Sequence, residues 1–313
     1  MTFMNAPVEF PARVIESYGR RAIVRTGDGE RLAAELFGKR LTIVCGDEVH
    51  VRMPRPVAAA SGDAPRIVSV APRRTLLQRT DSRGRTEPLA SNLTLLAAVI
   101  APEPAVDAYV VDRYLAAAAY AQIDGAVIVN KSDLPMSAAF SALLEEYRNA
   151  GYPVISVSAL NRDAIDDLRT LVKGQSTLLA GQSGVGKSTL TNALIPDSEQ
   201  LTRTLSGATG EGRHTTVSTA LFRIPTGGEL IDSPGVRDFA PALVGDATVQ
   251  YGWPEIVKTA PGCRFNNCLH LREPGCAVIA AVEEGALSAR RYESYKRLLN
   301  IMRELAPDYE RRR

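Results

Sequence analysis

The sequence predicts an α/β core domain on a largely parallel sheet, preceded by a small β-barrel and followed by a small helical module. Three observations carry that prediction. Five short strand-like runs bounded by turn residues fill residues 8–72. Apolar strands alternate with amphipathic helices from 91 to 245. Three cysteines and a histidine crowd into residues 263–276, ahead of a basic helix.

The bulk numbers fit this division. At 313 residues the chain is long enough for about two domains of ordinary size, or one main domain with two small attachments. Apolar residues make up 45% and charged residues 23%, as in a globular protein with a real core. The net charge of +2 discriminates little, but arginine is dense in residues 1–85 and again near the C-terminus. The N-terminal residues show no basic segment followed by an apolar one, and the apolar stretch 93–101 is too short to span a bilayer. The expectation is a cytoplasmic, membrane-free, monomeric protein. In a reducing compartment the crowded cysteines favour metal over disulfides.

In the first module, runs at 12–17, 21–26, 32–37, 47–53 and 66–70 read as strands separated by Gly19, the Gly27-Asp28-Gly29 run, Gly38 and Gly46. Five short strands point to a barrel of the oligonucleotide-binding type. An SH3-like barrel or a plain meander fits the same pattern. Residues 54–65 read as a flexible loop, and 73–90, rich in arginine, as a polar linker. From 91 to 245 strands are expected at 93–100, 126–129, 154–157 and 177–180, with helices at 110–121, 136–149 and 162–172 and from 187. A hairpin follows at 219–224 and 229–231. Short continuous apolar strands between helices imply a sheet covered on both faces. The last module, 246–313, ends in a helix capped by Ser288 that runs to Leu305 and stops before Pro307.

Residues 181–189 read Gly181-Gln182-Ser183-Gly184-Val185-Gly186-Lys187-Ser188-Thr189, between a strand and a helix. This is the spacing of a phosphate-binding loop. Glycines let backbone N–H groups wrap the phosphates, and the helix N-terminus adds positive potential. Lys187 is expected to reach the β- and γ-phosphates, and the Ser188 hydroxyl to hold Mg²⁺. The motif alone defines a nucleoside triphosphate and not its base.

Residues 130–133, Asn130-Lys131-Ser132-Asp133, follow an apolar strand. A carboxylate at Asp133 accepts from guanine N1–H and the 2-amino group, donors that adenine lacks, with Asn130 and the Lys131 stem shaping the pocket. Strand C-terminal ends are where ligands bind in such sheets. Ser158 and Ala159 end the next strand, and their backbone N–H groups are candidates for guanine O6. Asp232-Ser233-Pro234-Gly235 follows a further strand, placing a Mg²⁺-binding acid at Asp232 and a γ-phosphate-binding N–H at Gly235. Between loop and acid lies a Gly-rich segment, 206–216, in which Thr215 or Thr216 is a candidate Mg²⁺ ligand. The same segment also reads as a plain surface connection.

Cys263, Cys268, His270 and Cys276 have the spacing Cys-x4-Cys-x-His-x5-Cys. Three thiolates and one imidazole suit one tetrahedral, structural zinc ion, with no fifth donor for an open catalytic position. Incidental cysteines beside a surface histidine are the alternative. Cys45 stands alone and reads as a small core residue.

The five nucleotide signals resemble those of the translation-factor-related GTPases, in a different order. The base motif at 130 and the Ser158-Ala159 segment precede the phosphate loop at 181, the candidate switch threonines at 215–216 and the acid at 232. That order is a circular permutation, tolerable where the original termini lie close together. With the barrel and the Cys/His segment, the chain resembles the ribosome small subunit-dependent GTPase A family over nearly its whole length. Specific pieces are 181–189, Gly212-Arg213-His214-Thr215-Thr216, 232–238, the Cys/His segment, 90–96 and Asp112-Arg113-Tyr114-Leu115. The resemblance implies a late maturation factor of the small (30S) ribosomal subunit that binds 16S rRNA, holds the immature subunit in the GTP state and leaves after hydrolysis.

Val236 stands where Ras-like enzymes place a water-orienting glutamine, so intrinsic hydrolysis is expected to be slow and stimulated by the subunit. His214 is the nearest imidazole able to orient the water, and the resemblance points to it as well. A solvent-facing loop histidine is the alternative. The barrel arginines, and Arg290, Arg291, Lys296, Arg297 and Arg303 with Tyr292 and Tyr295 on the last helix, offer an rRNA-facing surface. An ordinary solvated basic face fits each of these residues singly. Two further functional readings are a GTP-gated RNA-binding protein whose hydrolysis is incidental, and a GTPase acting on tRNA or the large subunit.

Overall fold

The computed structural model describes residues 8–38, 41–54, 64–81, 84–158, 165–195, 219–233 and 240–306. In the first module β1 (Glu9–Tyr18), β2 (Arg21–Thr26), β3 (Arg31–Leu36), β4 (Glu48–Arg52) and β5 (Arg66–Val70) form a closed barrel. Neighbours pair in the order β1-β2-β3-β5-β4, and β4 returns to β1. The β3–β5 pair is parallel and the others antiparallel. This is the five-stranded oligonucleotide-binding type of barrel. Alternation fills it: Val14, Val24, Ala34, Val49, Val51 and Ile67 point inward as one apolar cluster.

The segment expected to be a linker is instead a hairpin, β6 (Leu76–Thr80) and β7 (Thr86–Ser91). Its arginines conceal an alternation. Leu77 and Ala90 are buried in the main core, while Arg79 and Glu87 pair on the outer face. Asp81 accepts from the Arg85 backbone N–H and closes the turn.

The central domain holds β8 (Leu95–Ile100), β9 (Asp124–Val129), β10 (Val154–Ser156), β11 (Ser176–Ala180), β12 (Ala220–Arg223) and β13 (Glu229–Asp232). Their order is β10-β9-β8-β11-β13-β12, parallel except for the last pair. Helices α1 (Ala108–Tyr120), α2 (Ala138–Asn149), α3 (Ile165–Val172) and α4 (Lys187–Leu194) connect the strands. Separate apolar clusters cover the two faces, so β8, between them, is buried at every position. Among the described residues the barrel joins this sheet through the pairing of Glu16 with Ala220, through Ile15 in the main core, and through Arg13 and Arg25, which both pair with Glu229. β14 (Ala240–Pro241) then adds to β6.

The last module contains α5 (Asp246–Val249), α6 (Pro254–Thr259), α7 (Ala277–Glu283) and α8 (Ala289–Leu305). Ser288 caps α8, its side chain accepting from Arg291 N. The module packs Trp253, Tyr295, Leu298, Leu299 and Met302 together, with Ala116 of α1 joining the same cluster. Burying each of the larger side chains contributes roughly 1.5–3 kcal/mol.

The expected RNA-facing helix is therefore largely turned inward. Arg291 is 2% exposed and pairs with Asp112 of α1 and Glu255 of α6, while Arg290 bridges Asp112 and Glu146 of α2. Burial opposes the Arg291 charge, but Asp112 and Glu255 outweigh it and raise its pKa above the ordinary value. Tyr295 is in the core, and Tyr292 donates to the His270 carbonyl. The barrel arginines are mostly paired too, Arg21 with Glu35, Arg31 with Glu16 and Arg52 with Glu9.

Nucleotide site and metal centre

The loop 181–186 leaves the C-terminal end of β11 and opens α4. Close approach dictates its glycines. A Cβ on Gly181 would lie 2.4 Å from the Val99 carbonyl oxygen, and one on Gly186, at φ +91°, 2.2 Å from Asn130 Nδ2. Asn130 is buried and donates from Nδ2 to the Val185 carbonyl at 2.9 Å, so the base motif is tied to the phosphate loop. Asp133 accepts from the Ser158 hydroxyl at 2.5 Å, which orients the carboxylate. Lys131, at φ +57°, donates from Nζ to the Glu103 carbonyl at 3.0 Å. Lys187 curls over its own loop, donating to the carbonyls of Gly181 and Gln182 at 2.6 and 2.7 Å.

Asn130, Asp133, Ser158 and the loop 181–189 thus lie together at the C-terminal ends of the parallel strands β9, β10 and β11. Asp232 ends β13 in the same sheet, and Ser188 is exposed at the start of α4. Both are hard oxygen donors of the kind Mg²⁺ takes. Ala159, His214, Thr215, Thr216, Gly235 and Val236 lie outside the described residues, as does most of the expected loop 54–65. Residues 101–107, which no motif marks, also line this region, Glu103 beside Lys131 and Pro104 beside Gly184. Asp107 caps α1, and its N–H donates to Gln182 Oε1 at 3.3 Å. Only Asp107, a capping residue type placed just before an apolar run, hinted at that cap.

Cys263, Cys268, His270 and Cys276 bring their donor atoms within 4.8 Å of one another. Cys263 Sγ is 3.5 Å from His270 Nδ1 and 3.9 Å from Cys276 Sγ, which is 3.4 Å from the same nitrogen. Zinc bonds of ~2.3 Å to sulfur and ~2.0 Å to nitrogen make a tetrahedron with edges of about 3.5–3.8 Å, so the cluster fits one ion. Burial pushes the Cys268 thiol up to about 12 and raises Cys276 as well, while burial lowers His270 and keeps its ring neutral. A cation is what lets clustered thiols ionise.

Sequence spacing showed the four donors but not their supports. His270 turns Nε2 to Gln250 Oε1 at 2.9 Å, and that amide is fixed by donating to the Ala247 carbonyl. Glu273 accepts from the N–H groups of Leu269, Leu271 and Arg272. Burial raises its pKa, but these bonds outweigh burial and bring it down to about 2. Tyr295 donates to the Leu269 carbonyl. By contrast, the lone Cys45 is fully buried, and burial pushes its pKa far up, as for an inert core thiol.

Phosphate loop, base motif and acid, in that spatial arrangement but with the base motif first in the chain, define a circularly permuted GTPase that hydrolyses GTP to GDP and phosphate. The chain belongs to the RsgA GTPase family, whose model matches residues 70–241. A relative from Pseudomonas aeruginosa named "Small ribosomal subunit biogenesis GTPase RsgA" is 40% identical over 299 residues, covering 95% of this chain and 86% of its own. A Pseudomonas fluorescens protein of the same name is 40% identical over 294 residues, covering 91% and 84%. Among solved structures, YjeQ from Thermotoga maritima is 26% identical at a TM-score of 0.73, covering 94% of this chain and 99% of its own. YloQ, described as a circularly permuted GTPase, shares the fold at 23% identity and a TM-score of 0.72, covering 99% and 100%.

Proposed function

We propose that the chain is a late maturation factor of the small ribosomal subunit, binding immature subunits and their 16S rRNA with GTP bound and leaving after hydrolysis. The observation that carries this reading is the name shared by relatives that align over 95% of the chain. The working division is a barrel at 1–72, a connecting segment at 73–90, a permuted G domain at 91–245 and a zinc module at 246–313. No helix among the described residues is long and apolar enough to cross a membrane. In this reading the protein works on ribosomal subunits in the cytoplasm, as a monomer.

In this reading Asn130, Lys131, Asp133, Ser158 and Ala159 hold the guanine base. The loop 181–189 and Gly235 hold the phosphates, with Lys187 neutralising charge that develops between the β- and γ-groups. Ser188, Asp232 and Thr215 or Thr216 hold Mg²⁺, which neutralises phosphate charge when bound. Zn²⁺ in the Cys₃His cluster is structural. His214 orients the attacking water in place of the glutamine that Val236 replaces. GTP turnover measured with and without purified small subunits tests the assignment. Strong stimulation supports it; equal turnover leaves a GTP-gated RNA-binding protein. His214→Ala is expected to keep GTP affinity while subunit-stimulated kcat falls on the order of 10²-fold or more. An unchanged stimulated kcat would remove His214 from the mechanism.

A further inference from the structure

The barrel and the G domain meet around a cavity of about 540 Å³. It lies at the N-terminal ends of β8, β11 and β13, where Thr94, Ser176 and Glu229 line it. Ser176 begins β11 and Ala180 ends it, so four steps of ~3.3 Å put the cavity about 13 Å from the start of the phosphate loop. It is therefore separate from the nucleotide site.

Its charge is unbalanced. Arg13, Arg74 and Arg223 line it, and Arg25 stands directly behind. Two carboxylates answer these four guanidinium groups. Glu229 takes Arg13 and Arg25, and Glu48 takes Arg13 and Arg74. Arg223 is exposed and stands opposite Glu229 in the β12–β13 ladder, and its side chain makes no hydrogen bond or ion pair among the described residues. Arg13 Nε is buried and has no acceptor among the described residues. The crowding shows in Arg25, whose pKa is lowered first by burial and then by Arg223 and Arg13, against the pull of Glu229. The aliphatic stem of Lys173 runs beside Gly227 at the rim.

The lining also limits what can bind. Ile224 is the one apolar side chain there, and no aromatic ring is present to stack a base. A guanidinium-rich lining without an aromatic platform favours phosphate contacts, which position RNA without reading its sequence. We propose that this junction cavity is a binding site for the phosphodiester backbone of RNA, seating phosphate oxygens against Arg74, Arg223 and Arg13. That the RNA is ribosomal rests on the function proposed above.

The test is the double variant Arg74→Gln/Arg223→Gln in the full chain. Arg74 is exposed, paired only on the surface with Glu48, and Arg223 is unpaired, so the variant should fold and keep wild-type GTP affinity and basal turnover. Affinity for purified small subunits is measured across salt concentration. The expected result is roughly tenfold weaker binding at 0.1 M salt and a slope of log K against log salt reduced by about 1–2. Wild-type binding with an unchanged affinity and slope in the variant overturns the site and leaves the subunit function standing. If the wild type fails to bind subunits, the function fails instead. The site is then judged by the same slopes on a 20-nucleotide oligouridylate, where a variant equal to wild type overturns it. Inorganic phosphate supplies the last arm. If millimolar phosphate raises the wild-type Tm but not that of the variant, while RNA affinity is equal, the cavity is a free-anion site and the RNA assignment falls.

Discussion

The metal centre and the nucleotide site are built in opposite ways. The four metal donors come from 14 consecutive residues, 263–276, with outer supports mostly from the same segment and α8. The nucleotide site draws on 130–133, 158 and 181–188, which meet because β9, β10 and β11 run parallel and end on one side of the sheet. A local site is tied to the stability of the piece of chain that carries it. A site assembled by topology is carried by a core that stands without the ligand. The two should therefore respond oppositely to loss of their ligands.

The largest expected effect is metal removal. Structural zinc contributes about 10–16 kcal/mol of apparent binding energy in small peptides, so chelation, or Cys276→Ser, should unfold the C-terminal module. Limited proteolysis would then cut within 246–306, while GTP affinity stays within about twofold. Loss of nucleotide binding on chelation would break the comparison. Lys187→Ala should do the reverse, lowering GTP turnover on the order of 10³-fold with Tm unchanged within a degree or two. Its side chain donates to the carbonyls of its own loop, Gly181 and Gln182, and packs into no apolar cluster.

The same contrast explains what was legible in the sequence. Metal donors and phosphate loop could be read residue by residue, since each is fixed by spacing over a few positions. The barrel strands were visible because their alternation is bounded by turn glycines. The 73–90 hairpin was hidden by its arginines: charge density read as linker, although Leu77 and Ala90 keep the alternation. The cap and end of α8 were legible, and so was its buried stripe, but the arginine charge was read as facing solvent. Arg291 lies on the same stripe as Tyr295, Leu298 and Met302, which marked it as inward-facing. Its partners Asp112 and Glu255 are 179 and 36 residues away, a pairing no local pattern reveals.

That buried pair of acids sharpens the comparison, because it ties the locally built module to the core domain. Arg291→Ala leaves Glu255 without its cation and Asp112 with Arg290 alone, and should cost about 3–5 kcal/mol. Arg290→Ala, at a site 29% exposed in its side chain, should cost much less. Thermal unfolding of the metal-loaded protein measures both. If Arg291→Ala leaves the transition unmoved, the metal alone holds the module and the ion network is incidental.

The smallest effect belongs to Gln250, which sits in the short turn after α5, outside the ligand segment. Its Oε1 accepts from His270 Nε2, and its own amide is held by the Ala247 carbonyl. The ring is thereby oriented with Nδ1 toward the three sulfurs, the nitrogen that lies 3.4–3.5 Å from Cys263 and Cys276. Gln250→Ala removes that orientation without touching a ligand. Metal affinity should fall about 10–100-fold, read by competition with a chromophoric chelator, while the coordination spectrum of the cobalt-substituted protein stays tetrahedral. Gln250→Glu, which keeps the acceptor, should recover most of the loss. If both variants bind metal as tightly as the wild type, the ligand segment alone sets the geometry, and the centre is more local than the contact with Gln250 implies.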